Sequence, residues 1–199
     1  GALKSMNQFY NKKRAKIQEE LKTKNGRSKS KRLSKLTQKR NEKIMNFMHV
    51  CSKRIVDYCV LYEIDTMVVG KNDGWKQSSK MSKQVNQSFV QIPMARFVDL
   101  LRYKCENNGI NLIVTEESYT SKASFLDDDD LPTFKEGKEA TFSGKRIKRG
   151  LYQSSNGTII NADCNGAYNI IKKAIPKAFN GIEGVCLHPV TIKITQNAI

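Results

Sequence analysis

Apolar side chains recur every three or four residues through the first third of the chain, which is the spacing of one face of an α-helix. A shorter helix is predicted over residues 7–21, and Asn25 and Gly26 break the pattern between the two helices. The sequence therefore predicts a helical hairpin over residues 1–63. All but one of the nine positions in the longer repeat are apolar or aromatic: Leu33, Leu36, Arg40, Ile44, Phe47, Cys51, Ile55, Tyr58 and Tyr62.

The pattern changes to short apolar runs after the hairpin. Residues 66–69 and 110–114 are predicted as strands, and residues 89–107 between them as a helix. Strand, helix and strand in this order build a parallel pair, whose C-terminal ends meet at one edge of the sheet. Because sites in open α/β sheets form at that edge, residues 64–118 are expected to position functional side chains.

A third pattern lies near the C-terminus, where a β-branched run leads into Asn161, Ala162 and Asp163 and then into a helix. The carboxylate of Asp163 is thereby placed at a strand-to-helix junction, where it can ligate a hard cation such as Mg²⁺. The alternative is that Asp163 caps the helix, as Asp often does. The motif and its helix are expected over residues 161–175, followed by a C-terminal tail over residues 176–199.

Charge narrows the possible partners. The 199 residues include 35 Lys and Arg against 19 Asp and Glu, a net charge of +16, and residues 1–54 alone contribute +14 of it. Such an excess indicates a polyanionic partner, nucleic acid first and an anionic membrane second. No run is long and apolar enough to span a bilayer, and no signal peptide is visible. Five cysteines without a CxxC pair fit reduced thiols, so a cytoplasmic location is expected.

The basic hairpin is the strongest candidate for nucleic-acid contact. Its lysines and arginines would bind mainly phosphates, which fixes affinity and position rather than sequence choice. The alternative is a solvated basic face that only keeps the protein soluble. A second basic segment follows at residues 145–149. The candidate contact residues are Lys12, Lys13, Arg14, Lys29, Lys31, Arg32, Lys35, Lys39, Arg40, Lys145, Arg146, Lys148 and Arg149.

Several motifs occur in a fixed order along the chain. Residues 116–126 read Glu-Glu-Ser-Tyr-Thr-Ser-Lys-Ala-Ser-Phe-Leu, residues 144–152 read Gly-Lys-Arg-Ile-Lys-Arg-Gly-Leu-Tyr, and residues 160–170 read Ile-Asn-Ala-Asp-Cys-Asn-Gly-Ala-Tyr-Asn-Ile. With residues 3–13 and 69–77, this order resembles the C-terminal half of the TnpB/OrfB proteins of bacterial insertion sequences. That family is related to the type V CRISPR effector nucleases and carries a RuvC-like, RNase H-type nuclease domain. The resemblance extends from about residue 3 to about residue 173.

The resemblance implies an α/β fold, with residues 1–175 forming a partial RNase H/RuvC-like domain that begins with the basic hairpin. Residues 119–160 correspond to a zinc-ribbon-like insertion. In relatives two CxxC pairs hold the zinc, and here those positions are Ser124, Asp127, Gln153 and Asn156, so no structural zinc is expected. The insertion includes four consecutive aspartates at 127–130, which are predicted to form a mobile, solvated acidic loop.

The resemblance also implies Mg²⁺-dependent, RNA-guided cleavage of DNA, with Asp163 as the last catalytic carboxylate. Most relatives have a catalytic Glu where this chain has Gly70, and the neighbouring strand end supplies Glu116 and Glu117 instead. Our hypothesis is that the metal-binding Glu has moved to this strand. Glu116 is the preferred ligand beside Asp163, because it shares a strand face with the apolar residues two and four positions before it. The alternative is that both glutamates are surface carboxylates.

In the family, the first catalytic Asp lies on a strand ahead of the residues present here, so the chain is expected to be N-terminally truncated and inactive alone. DNA, guide RNA and the upstream portion of the same protein are the expected partners. Three function classes remain open: a domain of a transposon-associated nuclease, a nuclease-dead nucleic-acid-binding remnant or regulator, and an unrelated basic structural protein.

Overall fold

Helices form most of the first half of the chain, and short strands occupy the second half. The computed structural model describes residues 2–71, 92–133 and 140–190. In chain order the elements of these ranges are α1 (Ala2–Asn25), α2 (Lys31–Leu61), β1 (Thr66–Gly70), α3 (Met94–Asn107), β2 (Asn111–Thr115), β3 (Lys145–Lys148), β4 (Leu151–Gln153), β5 (Ile159–Asn161) and α4 (Ala162–Ala174).

The chain divides into two units. Of the described residues, 2–65 and 92–110 form a helical unit, and 66–71, 111–133 and 140–190 form a sheet unit. The mixture of helices and strands agrees with the α/β expectation. The helix predicted between the two strands belongs to the helical unit, where it packs on α2. Residues 89–91, with which that helix was predicted to begin, lie outside the described residues.

The first two helices are present as the repeat predicted, and polar contacts join them. Asn7 of α1 is fully buried, and its Oδ1 accepts hydrogen bonds from Nε and Nη2 of Arg40 at 2.9 and 2.7 Å. The hydroxyls of Tyr10 and Thr37 lie 3.0 Å apart on the same side of the pair. These contacts explain why Arg40 interrupts an otherwise apolar series, because its guanidinium crosses to the facing helix.

The core of the helical unit lies where α3 packs on α2. Ile44, Met48, Ile92 and Leu100 form one buried cluster, with Met6 of α1 against it. At the turn before α2, the Ser30 side chain accepts a hydrogen bond from the backbone N–H of Leu33 at 3.1 Å and caps the helix. The buried residues of α2 are Ile44, Met48, Ser52, Val56 and Cys59, so only Ile44 of the predicted apolar series is buried. The prediction of the buried face is wrong by about one position, because the residues that follow Ile44 at steps of four face the core, while Ile55 and Tyr62 are 37% and 59% exposed.

The sheet unit contains two sheets with α4 packed against both. β1 and β2 pair in parallel, with Thr66 opposite Asn111 and Gly70 opposite Thr115, as the strand order predicted. β3, β4 and β5 form an antiparallel sheet in that order, and Gly157 makes the turn between β4 and β5 with a φ of 89°. α4 follows β5 without a linker, so the position of β5 fixes where α4 begins.

The prediction of a solvated acidic loop fits Asp128, whose side chain is 88% exposed, but is wrong for Asp127 and Asp129, which are held by hydrogen bonds. Asp127 accepts hydrogen bonds from the backbone N–H and hydroxyl of Ser155 at 2.9 and 2.5 Å. Asp129 accepts hydrogen bonds from the backbone N–H of Ser124 at 2.7 Å and the Ser143 hydroxyl at 2.6 Å. Asp128 pairs with a lysine of α4. Each carboxylate thus has its own donor, which offsets the repulsion between neighbours in the sequence.

Candidate functional site

Asp163 lies in the first turn of α4 and is exposed, but it does not cap the helix. The cap is Asn161, whose side-chain oxygen accepts hydrogen bonds from the backbone N–H groups of Asp163 at 2.9 Å and Cys164 at 3.2 Å. The structure therefore assigns the capping role to Asn161 and decides against the capping alternative for Asp163. A carboxylate in the first helical turn is also favoured by the helix dipole.

A cavity of about 560 Å³ lies between the segment after β2 and the first two turns of α4. Glu117 and Asp163 both line it, together with Tyr119 and Lys122. The structure therefore brings Glu117 and Asp163 to one cavity. The sequence analysis expected one of the two glutamates beside Asp163 and preferred Glu116. Glu116 is not among the residues that line this cavity.

The side chain of Glu117 occupies the space in front of Gly70. A Cβ atom built on Gly70 would lie 2.7 Å from Glu117 Oε2, 2.8 Å from Ile170 Cδ1 and 3.0 Å from Glu117 Cβ. The carboxylate of Glu117 thus occupies space that a side chain at position 70, the last residue of β1, would need. Burial, and after it the negative charge of Glu116, raises the pKa of Glu117 above its usual range.

Glu116 takes part in an internal ion pair. Its carboxylate pairs with Lys173 Nζ on α4 and accepts a hydrogen bond from the backbone N–H of Ser118. Lys173 also donates to the carbonyl oxygen of Ser118 at 3.0 Å. Burial opposes the ionisation of Glu116, but the hydrogen bonds from Lys173 and Ser118 outweigh it and lower the pKa of this carboxyl. The preference for Glu116 rested on the alternation of side chains along a strand. Because β2 ends at Thr115, this alternation does not apply to Glu116.

Two buried asparagines of α4, Asn165 and Asn169, fix the backbone of the segment that carries Glu117. Asn169 Nδ2 donates to the carbonyl oxygens of Thr120 at 3.0 Å and Ala123 at 2.8 Å. Asn165 Nδ2 also donates to Ala123, and its Oδ1 accepts from the backbone N–H of Phe125 at 2.9 Å. Sequence reasoning missed both residues. Their signal was an i, i+4 pair of amides within an otherwise apolar helix face.

The donor atoms at the cavity suit a hard cation. Mg²⁺ prefers oxygen ligands and is commonly held by one or two carboxylates together with water and substrate phosphates, so Glu117 and Asp163 fit it by chemistry. No group of three or more His, Cys, Asp or Glu side chains that could hold a metal ion occurs among residues 2–71, 92–133 and 140–190. Of the four positions that correspond to zinc ligands in relatives, Asp127 is hydrogen-bonded to Ser155.

The predicted nucleic-acid contacts fall into separate places. In the helical unit, Lys13, Arg32, Lys35, Lys39 and Arg40 line one groove between α1 and α2, whereas Lys29 lines a second hollow along α2. Lys12, Arg14 and Lys31 line neither of these two depressions. In the sheet unit, Lys145, Arg146, Lys148 and Arg149 are all exposed on or directly after β3. The groove also contains Lys16 and Lys43, which the sequence analysis did not single out.

Comparisons with known proteins agree with the order of the motifs. Residues 1–76 match the family model OrfB_IS605, described as a probable transposase, and residues 95–170 match the model of the Cas12f1-like TNB domain. Among solved structures, a cryo-EM structure of the Cas12f1–sgRNA–target DNA complex is similar, with a TM-score of 0.54 and 17% sequence identity. The match covers 85% of this chain and 41% of that chain, and at this identity it shows a shared fold. No curated protein matches the chain. None of the helices in the described ranges could cross a membrane.

Proposed function

This chain belongs to the TnpB/OrfB family of insertion-sequence transposon proteins, and we propose that it forms part of the RuvC-like nuclease domain of an RNA-guided DNA endonuclease of that type. The observation that carries the proposal is the meeting of Glu117 and Asp163 at one cavity, from the segment after β2 and the start of α4. A net charge of +16 supports a nucleic-acid substrate. The similar Cas12f1 structure is a complex with sgRNA and target DNA, and guide RNA and DNA are the partners we propose for this chain.

Glu117 and Asp163 would hold Mg²⁺ at the cavity. When bound, the metal would activate the attacking water and stabilise the leaving oxygen of the phosphodiester. The raised pKa of Glu117 means that a proton competes for this carboxylate at a higher pH than for an unperturbed glutamate. Lys173 and Glu116 hold the backbone at Ser118, directly after Glu117, and thereby limit where the Glu117 carboxylate can point.

A two-metal site needs a further carboxylate. Within the described residues, β1 and β2 form a two-stranded parallel sheet, and parallel sheets are usually larger and covered on both faces. We therefore expect a further strand of the same protein to pair with this sheet. The family resemblance puts the first catalytic Asp on such a strand, so the upstream portion of the protein is the partner that would complete the site.

The test is Mg²⁺-dependent cleavage of labelled DNA in the presence of guide RNA, by this chain and by a form extended through the upstream strands. Glu117→Ala and Asp163→Ala should each lower cleavage by the extended form at least about 100-fold, as expected for the loss of a metal ligand. Glu183→Ala, which removes an exposed carboxylate outside the cavity, is the matched control and should leave cleavage unchanged. Cleavage that persists in both cavity variants would contradict the proposed site.

The second candidate function is a nuclease-dead, nucleic-acid-binding regulator. It would keep the net charge of +16 for binding nucleic acid and lose the metal chemistry at the cavity. In that case the extended form would bind nucleic acid, its affinity would fall steeply as salt rises, and no cleavage would occur with Mg²⁺. The same assay therefore separates the two functions.

A further inference from the structure

The positive charge of the helical unit is concentrated on one side of the α1–α2 pair. A groove of about 740 Å³ runs between the two helices. Among the described residues that line the groove, Glu20 is acidic, and its Oε2 lies 3.1 Å from Nη1 of Arg32. Six cationic residues that line the groove are exposed: Lys13, Lys16, Arg32, Lys35, Lys39 and Lys43.

A second hollow, which runs along α2, provides an internal comparison. It measures about 880 Å³, and its described lining includes one lysine, Lys29, and one glutamate, Glu42. Two depressions of similar size in the same unit thus differ by several units of charge. A basic face that served only for solubility would have no reason to favour one depression, so the difference indicates a polyanionic ligand for the groove.

The groove also has an apolar floor. Met6, Phe9, Ile17 and Leu36 contribute to its lining, and Phe9 is 60% exposed although it is a large aromatic side chain. The ammonium group of Lys13 lies 4.5 Å from the centre of the Phe9 ring. Lys13 therefore lies over one face of an exposed aromatic ring, and the pair offers a cation for a phosphate and an aromatic surface for the base of a nucleotide.

Building on the proposed function, we propose that this groove binds single-stranded nucleic acid, with phosphates on the lysine rim and an unstacked base against Phe9. A regular duplex presents phosphates to a protein surface and keeps its base faces stacked inside, so it would leave the apolar floor unfilled. A single strand offers both groups at once. Phosphates and base faces are common to RNA and DNA, so these features of the groove do not distinguish the two. Single strands of RNA and of DNA are therefore tested separately.

The first experiment compares neutralising lysines that line the groove with neutralising basic residues outside it. One variant of the full chain carries Lys16→Gln, Lys35→Gln, Lys39→Gln and Lys43→Gln. Its control carries the same four-charge change at exposed basic residues that neither line the groove nor belong to the candidate contacts: Lys4→Gln, Lys22→Gln, Lys24→Gln and Arg54→Gln. Binding of 15-nucleotide RNA and DNA strands is measured by fluorescence anisotropy over a range of salt concentrations.

The groove variant should lose about 3 from the slope of log affinity against log salt, because each phosphate contact to a single strand contributes roughly 0.7. The control should lose less than 1. Equal losses in both variants would overturn the groove while leaving nucleic acid as a partner of the protein. If the unaltered chain binds no nucleic acid at all, the proposed function fails with it. Between the arms, tighter binding of RNA assigns the groove to the guide, and tighter binding of DNA assigns it to a displaced strand.

The second experiment tests the base on Phe9. Phe9→Ala should weaken single-strand binding about tenfold, as expected for the loss of one stacked base, and leave duplex binding unchanged. Phe9→Trp, which keeps an aromatic surface, should retain the affinity. Because the side chain is exposed, neither change should unfold the helix. Equal weakening of single-strand and duplex binding by Phe9→Ala, or displacement of the strand by poly-glutamate as readily as by poly-uridine, would overturn the proposal.

Discussion

Gly70→Ala tests whether the carboxylate of Glu117 truly occupies the end of β1. A Cβ at position 70 would approach Glu117 Oε2 to 2.7 Å and Ile170 Cδ1 to 2.8 Å, and real Cβ atoms do not tolerate such contacts. Both atoms are far ends of side chains, so they can move, but only out of their present positions. We therefore expect the alanine variant to be less stable and to have a displaced Glu117 carboxylate.

The magnitude follows from two opposing effects. Forcing an extra methyl group into a packed site costs about 1–3 kcal/mol. Replacing glycine by alanine in an extended strand also restricts the unfolded chain, which stabilises the fold by about 0.4–1 kcal/mol. The net loss should therefore be about 1–2 kcal/mol in the free energy of unfolding, measured by urea denaturation and circular dichroism of the full chain.

A double-mutant cycle isolates the contact. In a Glu117→Ala background the closest atom, Glu117 Oε2, is absent, but Ile170 Cδ1 at 2.8 Å and the Cβ of residue 117 at 3.0 Å remain. Gly70→Ala should therefore still destabilise the fold, but by about 0.5–1 kcal/mol less than in the unaltered chain, and this difference is the coupling energy between the two positions. An equal cost in both backgrounds would show that Glu117 does not fill the space at Gly70. The relocation of the carboxylate would then lose its structural basis.

Three further predictions concern the surroundings. Glu116→Gln removes the charge that, after burial, raises the pKa of Glu117, so the acidic limb of the cleavage profile should move to lower pH in the extended form. Asp127→Ala removes two hydrogen bonds with Ser155 and should cost about 1 kcal/mol by urea denaturation, since the site is partly exposed; a metal chelator should leave Tm unchanged. Asn7→Leu removes the acceptor of the hydrogen bonds from Nε and Nη2 of Arg40, while the bond from Nη1 to Asn41 remains, and should cost about 1–2 kcal/mol, whereas a loss below 0.5 kcal/mol would contradict that role.

Local periodicity was sufficient to predict the helices and the parallel strands. The helical repeat predicted α2 itself but only one of its buried positions, Ile44, and the apolar runs predicted the parallel strand pair within one or two residues at each end. These features depend on neighbours three or four positions away, or on alternation, and both are visible in a sequence. The order of the motifs supplied the family, which composition alone could not have done.

The contents of the site were less predictable, because they depend on residues that are distant in the sequence. The donors to Asp127 and Asp129 include residues up to 28 positions away, so the acidic run appeared unpaired in the sequence. The position of Asn169 beneath the backbone at Thr120 depends on how α4 packs, 49 residues later. Which of the two glutamates lines the cavity depended on where β2 ends, and strand ends are the least certain feature of sequence prediction.

The glycine at position 70 and the position of the Glu117 side chain depend on each other, because the side chain fills the space in front of the glycine. β1 and β2 are parallel and in register, with Gly70 opposite Thr115, so a residue two positions past the end of β2 can return its side chain across the end of β1. That return is possible only if position 70 has no side chain, which is a steric reason for glycine within a strand. Under the proposed relocation, a carboxylate carried by the segment after β2 lines the same cavity as Asp163. The proposed site therefore does not require a glutamate at position 70.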